Sequence, residues 1–252
     1  MRARGLGKKR LAGLGKRFWS LTGRALFLVG LFWLVSVLLF RFINPPITPL
    51  MVIRSAEYLI TDKPLIRQWD WVPLSEIPLP VQQAVVAAED ARFMDHWGVD
   101  FSAVEDAMDD SGARKRPRGA STITMQTVKN VFLWPGRSYL RKIIEVGMAP
   151  IAGVVWGKRR TLELYLNIIE WGEGVYGIEA ASQFYFKRSV RQLSLQQAAA
   201  LASVLPSPRR LSPNDLSEVS RQRYERIVKE ANAVPLPTSF YTQVSAKRRA
   251  RL

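Results

Sequence analysis

Cysteine is absent from the sequence, and histidine occurs once, as His96. Without cysteine the chain has neither disulfides nor a thiolate metal site, and a single histidine argues against a histidine-rich metal centre. Acidic residues are also missing from the beginning of the chain, where the first one is Glu57. Residues 1–24 hold eight lysines and arginines, so half of the net charge of +16 lies in the first tenth of the 252 residues.

The chain has one long uncharged apolar run, ALFLVGLFWLVSVLLF at residues 25–40, which lies between Arg24 and Arg41. As a helix it would span ~24 Å, slightly less than a hydrocarbon core of ~30 Å, and Phe42 and Ile43 extend it into the interface. The run is apolar on all sides, unlike a core helix with one buried stripe. We therefore predict a transmembrane signal-anchor helix, retained because no small-residue cleavage site follows it.

The basic head in front of this helix has two explanations. Positive charges flanking a membrane helix stay in the cytoplasm, which places everything after the helix outside. A basic segment is also typical of nucleic-acid binding, but its position against a membrane helix is better explained by topology and anionic lipid. We expect no nucleic-acid partner.

Beyond the anchor the sequence is mainly helical in pattern, except for two possible short strands, Met51–Arg54 and Glu57–Ile60. From Pro80 onward apolar residues recur with a helical period, and hydroxyl residues stand where N-caps are expected. Four helices are predicted after residue 120. The first is capped by Ser121 or Thr122 and runs to about Leu133, and the second begins after Ser138. The third begins at the Ser194–Gln197 capping box and ends by Pro206, and the last covers 214–232. The predicted parts are a basic head at 1–24, a membrane helix at 25–43, a mainly α domain at 44–232 and a basic tail at 233–252.

The stretch VAAEDARFMDHWG places Glu89 four residues after Val85, at the edge of an apolar helical face. A carboxylate partly withdrawn from water tends to have a raised pKa, which suits a general acid or base. Phe93 and His96 would share that face with Glu89 if the helix continued. The alternative is a surface Glu–Asp pair with His96 in a structural role.

A second stretch, RGASTITMQTVKN at 118–130, carries Thr122, Gln126 and Lys129 at a helical spacing of four and three residues. These side chains form a polar stripe opposite an apolar side. Gly119 and the hydroxyls at the helix start would leave backbone N–H groups for an anion. The alternative is a capped amphipathic helix with a solvated face.

A third stretch, RSYLRKIIE at 137–145, surrounds Glu145 with Arg137, Arg141 and Lys142. Arg141 and Glu145 could form a plain ion pair, although the base-before-acid order is the weaker helical arrangement. Three cations around one carboxylate also indicate a site for a polyanion such as diphosphate.

Together these stretches carry a family resemblance. The blocks EDxxFxxHxG, GASTITxQxxKN and RKxxE occur in the order seen in peptidoglycan glycosyltransferases, followed by YLN, GEGVYGIEAA and LSLQQAAALA. The chain resembles this family over about residues 45–230, and its monofunctional members in particular, because the transpeptidase signatures SxxK and KTG are absent. It departs from the family at Met125, where a second glutamine is common, at Asp106, where a basic residue is common, and at Pro150, which we expect to kink a helix.

The resemblance implies a lysozyme-like helical domain with a smaller membrane-proximal lobe, which polymerises lipid II with inversion at the donor MurNAc C1 and releases undecaprenyl diphosphate. Glu89 would be the general base for the acceptor 4-hydroxyl. Glu145 would be the second catalytic carboxylate, either orienting the cations or holding a divalent ion. The implied substrate-binding residues are Asp90, Phe93, His96, Ser121, Thr122, Gln126, Lys129, Asn130, Arg137, Arg141 and Lys142.

The resemblance requires no cofactor, although a divalent cation (Mg or Mn) could sit at the diphosphate. Expected partners are lipid II, the growing glycan strand and the inner membrane, with cell-division or elongation proteins and penicillin-binding proteins as further candidates. The expected location is the inner membrane, single-pass, with the N-terminus cytoplasmic and the catalytic domain periplasmic. Two alternatives remain: a lysozyme-like enzyme that cleaves glycan, and an anchored scaffold that binds glycan without chemistry.

The segment NVFLWPG at 130–136 is unusually apolar for a link between two polar blocks. One interpretation is that Phe132 and Leu133 fill the core. The other is that Phe132 and Trp134 dip into the outer leaflet beside a lipid-linked substrate, with the indole at headgroup depth.

Overall fold

The computed structural model describes residues 3–61, 68–103, 105, 121–136 and 138–241, with side chains from residue 22 onward. Contacts divide the chain into two units, residues 1–43 and 44–252. The α-helices with both ends among the described residues are α1 (Ala3–Phe40), α2 (Pro49–Ile60), α3 (Leu79–Glu89), α4 (Ile123–Phe132), α5 (Tyr139–Ile168), α6 (Ile178–Phe186), α7 (Leu195–Val204) and α8 (Glu218–Glu230). The predicted mainly α architecture is therefore confirmed.

The first unit consists of helix α1 and the turn that follows it. Among the described residues, Thr22–Phe40 is the one stretch long and apolar enough to cross a membrane. The helix ends at Phe40, whereas we predicted an end at Ile43. It begins at Ala3, so the basic head continues directly into the apolar stretch as one helix.

The two strands expected between residues 51 and 60 are wrong, because this segment is helix α2. Thr48 caps it by accepting a hydrogen bond from the Met51 N–H at 3.3 Å. Pro49 occupies the first turn, where its fixed φ suits a helix and its missing N–H costs nothing. These two signals outweigh the β-propensity of the Met-Val-Ile run, which depends on context.

Helices α3, α7 and α8 pack together, and α4 packs along α5. Val81, Ala84 and Val85 of α3 are fully buried, as the helical spacing of apolar residues predicted. Helix α3 therefore presents its C-terminal residue, Glu89, from a rigid core element.

The predicted caps are confirmed. Thr122 accepts from the Met125 N–H at 3.1 Å, Ser138 caps α5, and Ser194 forms a capping box with Gln197. Helix α8, predicted over 214–232, is shorter because Ser217 caps it and it ends at Glu230.

Helix α5 bends at Gly157 and not at Pro150, where we expected the kink. Gly157 has φ 66° and ψ 170°, whereas the helix continues through Pro150. Positive φ is accessible to glycine at little cost, so the break falls at the residue that tolerates it. The break separates the first part of α5, which is exposed on one side, from the more buried stretch that ends at Ile168.

A small sheet joins one strand that precedes α3 to two strands that follow α5. Its strands are β1 (Gln68–Trp69), β2 (Glu170–Gly172) and β3 (Val175–Tyr176), in the order β1-β3-β2. Strand β1 is parallel to β3, and β2 is antiparallel to it, with Glu170 opposite Tyr176. The Asn167 side chain fixes the chain after β1 by bonding both the N–H and the carbonyl of Val72, at 2.8 and 2.9 Å.

Candidate active site

Glu89 lies at the last turn of α3 with 13% of its side chain exposed. Its two carboxylate oxygens have different partners. Gln126 Nε2 donates to Oε2 at 2.8 Å, and Arg223 Nη2 donates to Oε1 at 2.5 Å. Burial raises the pKa of Glu89, while Arg223, Gln126 and Lys129 oppose that rise. A carboxylate whose pKa is raised by burial is suited to accept a proton as a general base.

The Gln126 amide is oriented by Tyr165, whose hydroxyl donates to Gln126 Oε1 at 3.2 Å. This bond leaves the amide N–H₂ group to face Glu89. Burial raises the pKa of Tyr165 well above its ordinary value, so the phenol stays protonated and remains a donor. The carboxylate is thus held by a chain of two hydrogen bonds from α5 through α4.

We expected Glu89, Phe93 and His96 to share a helical face if the helix continued, but they do not, because α3 ends at Glu89. Asp90 is the C-cap residue, with φ −161° and ψ 71°. His96 lies in the following turns and bonds Asp90 through its Nε2, 3.0 Å from Asp90 Oδ1. Phe93 is fully buried. These three side chains shape the turn behind Glu89.

The predicted anion site at the start of α4 is occupied by the protein itself. Asp90 Oδ2 accepts from the Ile123 N–H at 2.9 Å, and Thr122 caps the Met125 N–H. The Thr122 hydroxyl also donates to the Gly98 carbonyl at 2.5 Å. Asp90 and Thr122 therefore connect the turn after α3 to the first turn of α4, which sets Glu89 beside Gln126.

Lys158 closes the same turn by donating to the carbonyls of Phe93 and His96. Its Nζ lies 4.5 Å from the centre of the Phe93 ring, a cation–π distance. Burial lowers the pKa of Lys158. This lysine was not among the predicted site residues.

A cation cluster surrounds Glu145, as the third stretch predicted. Arg141 Nη1 lies 2.8 Å from Glu145 Oε1, and Lys142 Nζ lies 3.3 Å from Oε2 and 3.2 Å from Ser121 Oγ. Glu145 is only 2% exposed. The predicted ion pair with Arg141 is confirmed and belongs to a larger cluster. The binding of a polyanion by this cluster stays a prediction.

Lys129 interacts electrostatically with both Glu89 and Glu145. Burial lowers its pKa, and the charge of Glu145 opposes that shift. A cleft of about 360 Å³ runs between α2, α4 and the end of α7, and its walls include Gln126, Lys129, Asn130 and Arg141. Arg137 and Asp106 lie outside the described residues, as do Arg118 and Gly119.

The segment before the Pro-Gly turn lies largely in the core. Phe132 stacks on Trp156, with ring centres 6.2 Å apart, and Leu133 is buried. Only Trp134 is 42% exposed, and it lines the cleft. Phe132 and Leu133 therefore pack in the core, as the first interpretation has it, and leaflet contact stays a prediction for Trp134 alone.

Three residues of the site were missed. Arg223 comes from α8, 134 positions after Glu89, and Arg54 of α2 lines the cleft from the opposite side. Tyr165 was noticed only as part of a motif. The arginine-rich α8 was the available signal, but nothing in the sequence says which arginine reaches a carboxylate.

Residues 60–232 match the family model described as Transglycosylase. A biosynthetic peptidoglycan transglycosylase of Marinomonas sp. (strain MWYL1) is 44% identical over 222 residues, which cover 88% of this chain and 93% of that protein. Proteins with the same name from Bdellovibrio bacteriovorus and Caulobacter vibrioides are 48% and 44% identical, over 87% and 79% of this chain and 87% and 85% of their own lengths. The chain belongs to the transglycosylase family of peptidoglycan biosynthesis.

Proposed function

We propose that this protein polymerises lipid II into β-1,4 glycan strands. The observation that carries the proposal is a buried carboxylate of raised pKa, Glu89, hydrogen-bonded to Gln126, which lines a cleft together with the cations Lys129 and Arg141. The family of the chain and the printed names of its relatives support the same reaction. A base for the acceptor and a cation cluster for the leaving diphosphate are the two groups that this transfer needs.

In the proposed step the acceptor GlcNAc O4 forms a bond to the donor MurNAc C1. Glu89 takes the proton of that hydroxyl as the bond forms. The bond between C1 and the diphosphate oxygen breaks on the opposite face, and its electron pair stays with undecaprenyl diphosphate. The donor configuration inverts, and no covalent sugar–enzyme intermediate is required.

The leaving diphosphate gains negative charge as the C1–oxygen bond breaks. Lys129 and Arg141 line the cleft where that charge would develop, and Glu145 holds Arg141 and Lys142 in place. We assign Glu145 this orienting role. Preorganised cations stabilise a developing anion more than water does, since they need no reorientation during the reaction.

A divalent ion held by Glu145 fits this donor set poorly. Both Glu145 oxygens already face cations, and the described residues contain no group of three or more carboxylates or imidazoles suited to a metal. We propose that any Mg or Mn ion in the reaction is bound by the diphosphate oxygens and not by this carboxylate.

Two experiments in parallel distinguish polymerisation from the alternatives. Full-length protein is incubated with fluorescent lipid II, and separately with preformed glycan strands, and both products are separated on a gel. We expect long glycan from lipid II and no shortening of preformed strands. Shortening would indicate a glycan-cleaving enzyme, and binding without any product would indicate a scaffold.

We propose that α1 anchors the protein in the inner membrane, with the head in the cytoplasm and residues after 43 in the periplasm. The apolar helix candidate Thr22–Phe40 supports anchoring, and the charge of residues 1–24 supports the orientation. A second surface supports membrane contact by the catalytic unit. The first part of α5 exposes Tyr139, Leu140, Ile143 and Val154, each more than 60% accessible.

Replacing Leu140 and Ile143 together by serine should weaken binding of residues 44–252 to anionic liposomes by about tenfold. The reason is that serine lacks the favourable free energy that each apolar side chain gains on transfer from water to lipid. Co-sedimentation measures this binding. Val219→Ser on α8, where Val219 is 77% exposed, is the matched control and should bind normally. Unchanged binding by the double variant would remove this face from the membrane.

Arg223→Gln should shift the acid limb of the pH–rate profile to higher pH. Arg223 lowers the Glu89 pKa, which burial raises, so its removal lets that pKa rise further. Catalysis needs ionised Glu89, and activity is therefore lost at a higher pH as the solution is acidified. The profile of kcat/KM measures the shift, with Arg221→Gln on the same helix as control. An acid limb that stays in place would separate Arg223 from the titration of the base.

A further inference from the structure

A second pocket lies against the wall of the catalytic cleft. It has a volume of about 470 Å³, and five of its lining residues are charged: Arg54, Glu170, Glu173, Arg209 and Arg210. Arg54 and Glu170 also line the catalytic cleft, so these two side chains form a wall that the two cavities share. Nothing in the proposed reaction uses the second pocket.

Contacts with neighbouring carboxylates hold Arg54 of this wall in place. Arg54 Nη1 bonds Glu57 at 2.6 Å, and its Nε lies 3.5 Å from Glu170 Oε2. Glu170 sits on β2 opposite Tyr176 and is 8% exposed. Its Oε1 and the Tyr176 hydroxyl have no hydrogen-bond partner among the described residues. Burial raises the pKa of Glu170.

The other two cations of the pocket, Arg209 and Arg210, have guanidinium N–H groups that can still donate to a ligand. Arg209 reaches Glu57 and Glu173 only at 3.7 Å, and its guanidinium lies over the Tyr58 ring at 5.9 Å. Arg210 is exposed and makes no ion pair with any residue that the structure describes. Since an arginine has five N–H donors in a fork that matches a carboxylate, this pair can take an anionic group from a ligand.

We infer that the second pocket binds the charged peptide branch of the lipid-linked donor, with a peptide carboxylate on Arg209 and Arg210 and a peptide ammonium facing Glu173. The inference rests on the proposed function, because it needs lipid II as the substrate. The branch leaves the same MurNAc ring whose C1 carries the diphosphate, so it begins in the cleft and need only pass the shared wall.

The mixed charge of the pocket decides between ligands. A diphosphate or a lipid phosphate would meet Glu170 and Glu173 as well as the arginines, and like charges across a small pocket are unfavourable. A neutral glycan would offer no charged group to pair with the arginines and glutamates of the pocket. A peptide that carries both carboxylate and ammonium groups matches both signs.

The test compares two substrates on the full-length protein. One is lipid II with its complete peptide, and the other is the same lipid-linked disaccharide with the peptide cut to a single alanine amide. For the double variant Arg209→Gln, Arg210→Gln we expect KM for complete lipid II to rise about five- to tenfold, the size of a lost charge-assisted contact. We expect kcat to stay within twofold, and KM for the trimmed substrate to equal that of the wild type.

Arg226→Gln on α8 is the matched control, since Arg226 is exposed and lies outside both cavities. An unchanged KM for complete lipid II, or an equal rise for both substrates, overturns the inference. If the melting temperature of the double variant falls, Arg210→Gln alone carries the test, because it removes no ion pair seen among the described residues. A wild-type protein that polymerises neither substrate would instead contradict the proposed function.

Discussion

Glu89→Gln is expected to abolish glycan synthesis while the protein still folds and still binds lipid II. Glutamine keeps the size of the side chain and an oxygen for Arg223 or Gln126, but it cannot take the acceptor proton. General-base catalysis contributes about 10²- to 10⁴-fold, and turnover should fall by that amount. The gel assay for glycan gives the rate, and binding of labelled lipid II in detergent gives the affinity.

Glu225→Gln is the control for this substitution, because Glu225 is an exposed residue of α8. It should polymerise like the wild type. A Glu89→Gln protein with near-normal turnover would remove Glu89 from the role of base. A protein that lost substrate binding as well would show that the carboxylate holds the site together.

Lys129→Ala is expected to lower kcat/KM for lipid II by roughly 10²- to 10³-fold, the range found when one preorganised charge-stabilising group is removed. The ammonium is withdrawn from water, which lowers its pKa, and an incoming diphosphate would favour its charged form. The variant should lose most of its kcat/KM for lipid II, but its affinity for an analogue that lacks phosphate should change little.

Lys229→Ala offers a matched comparison, since Lys229 is exposed near the end of α8. Kinetics with lipid II and competition with the phosphate-free analogue measure the two effects. If Lys129→Ala processed lipid II at the wild-type rate, the diphosphate would not bind at this lysine. An equal loss with both ligands would indicate a general defect of the cleft.

Local signals in the sequence were sufficient for much of the helical framework. Thr122, Ser138 and Ser194 cap the helices that they were expected to cap, because a hydroxyl before an apolar run acts over only three residues. The same kind of signal failed at residues 51–60. There the β-propensity of the side chains was given more weight than Thr48 and Pro49, which start helix α2.

The two carboxylates of the candidate site could be predicted from the sequence, but the arginine that contacts Glu89 could not. Glu89 was found from its position at the edge of an apolar face, and Glu145 from the cations around it. Arg223 was not found, because its contact with Glu89 joins residues 134 positions apart, and nothing local marks one arginine of α8 above the others.

Asp90 illustrates a second limit. A carboxylate beside the base was expected to serve the substrate, whereas its two oxygens bind His96 and the Ile123 N–H at the start of α4. Helix N-termini attract anions, and here the anion is a side chain of the protein. The sequence indicated the anion site but not what occupies it.

The most direct test of glycan polymerisation by base-assisted transfer is to measure the stoichiometry and the stereochemistry of the products in one reaction. Full-length protein is given lipid II, released undecaprenyl diphosphate is counted, and the new glycosidic bonds are counted and assigned by NMR. We predict one undecaprenyl diphosphate for each new bond, with every new bond β-1,4. Release of undecaprenyl diphosphate without new bonds, or bonds that keep the α configuration of the donor, would contradict the mechanism.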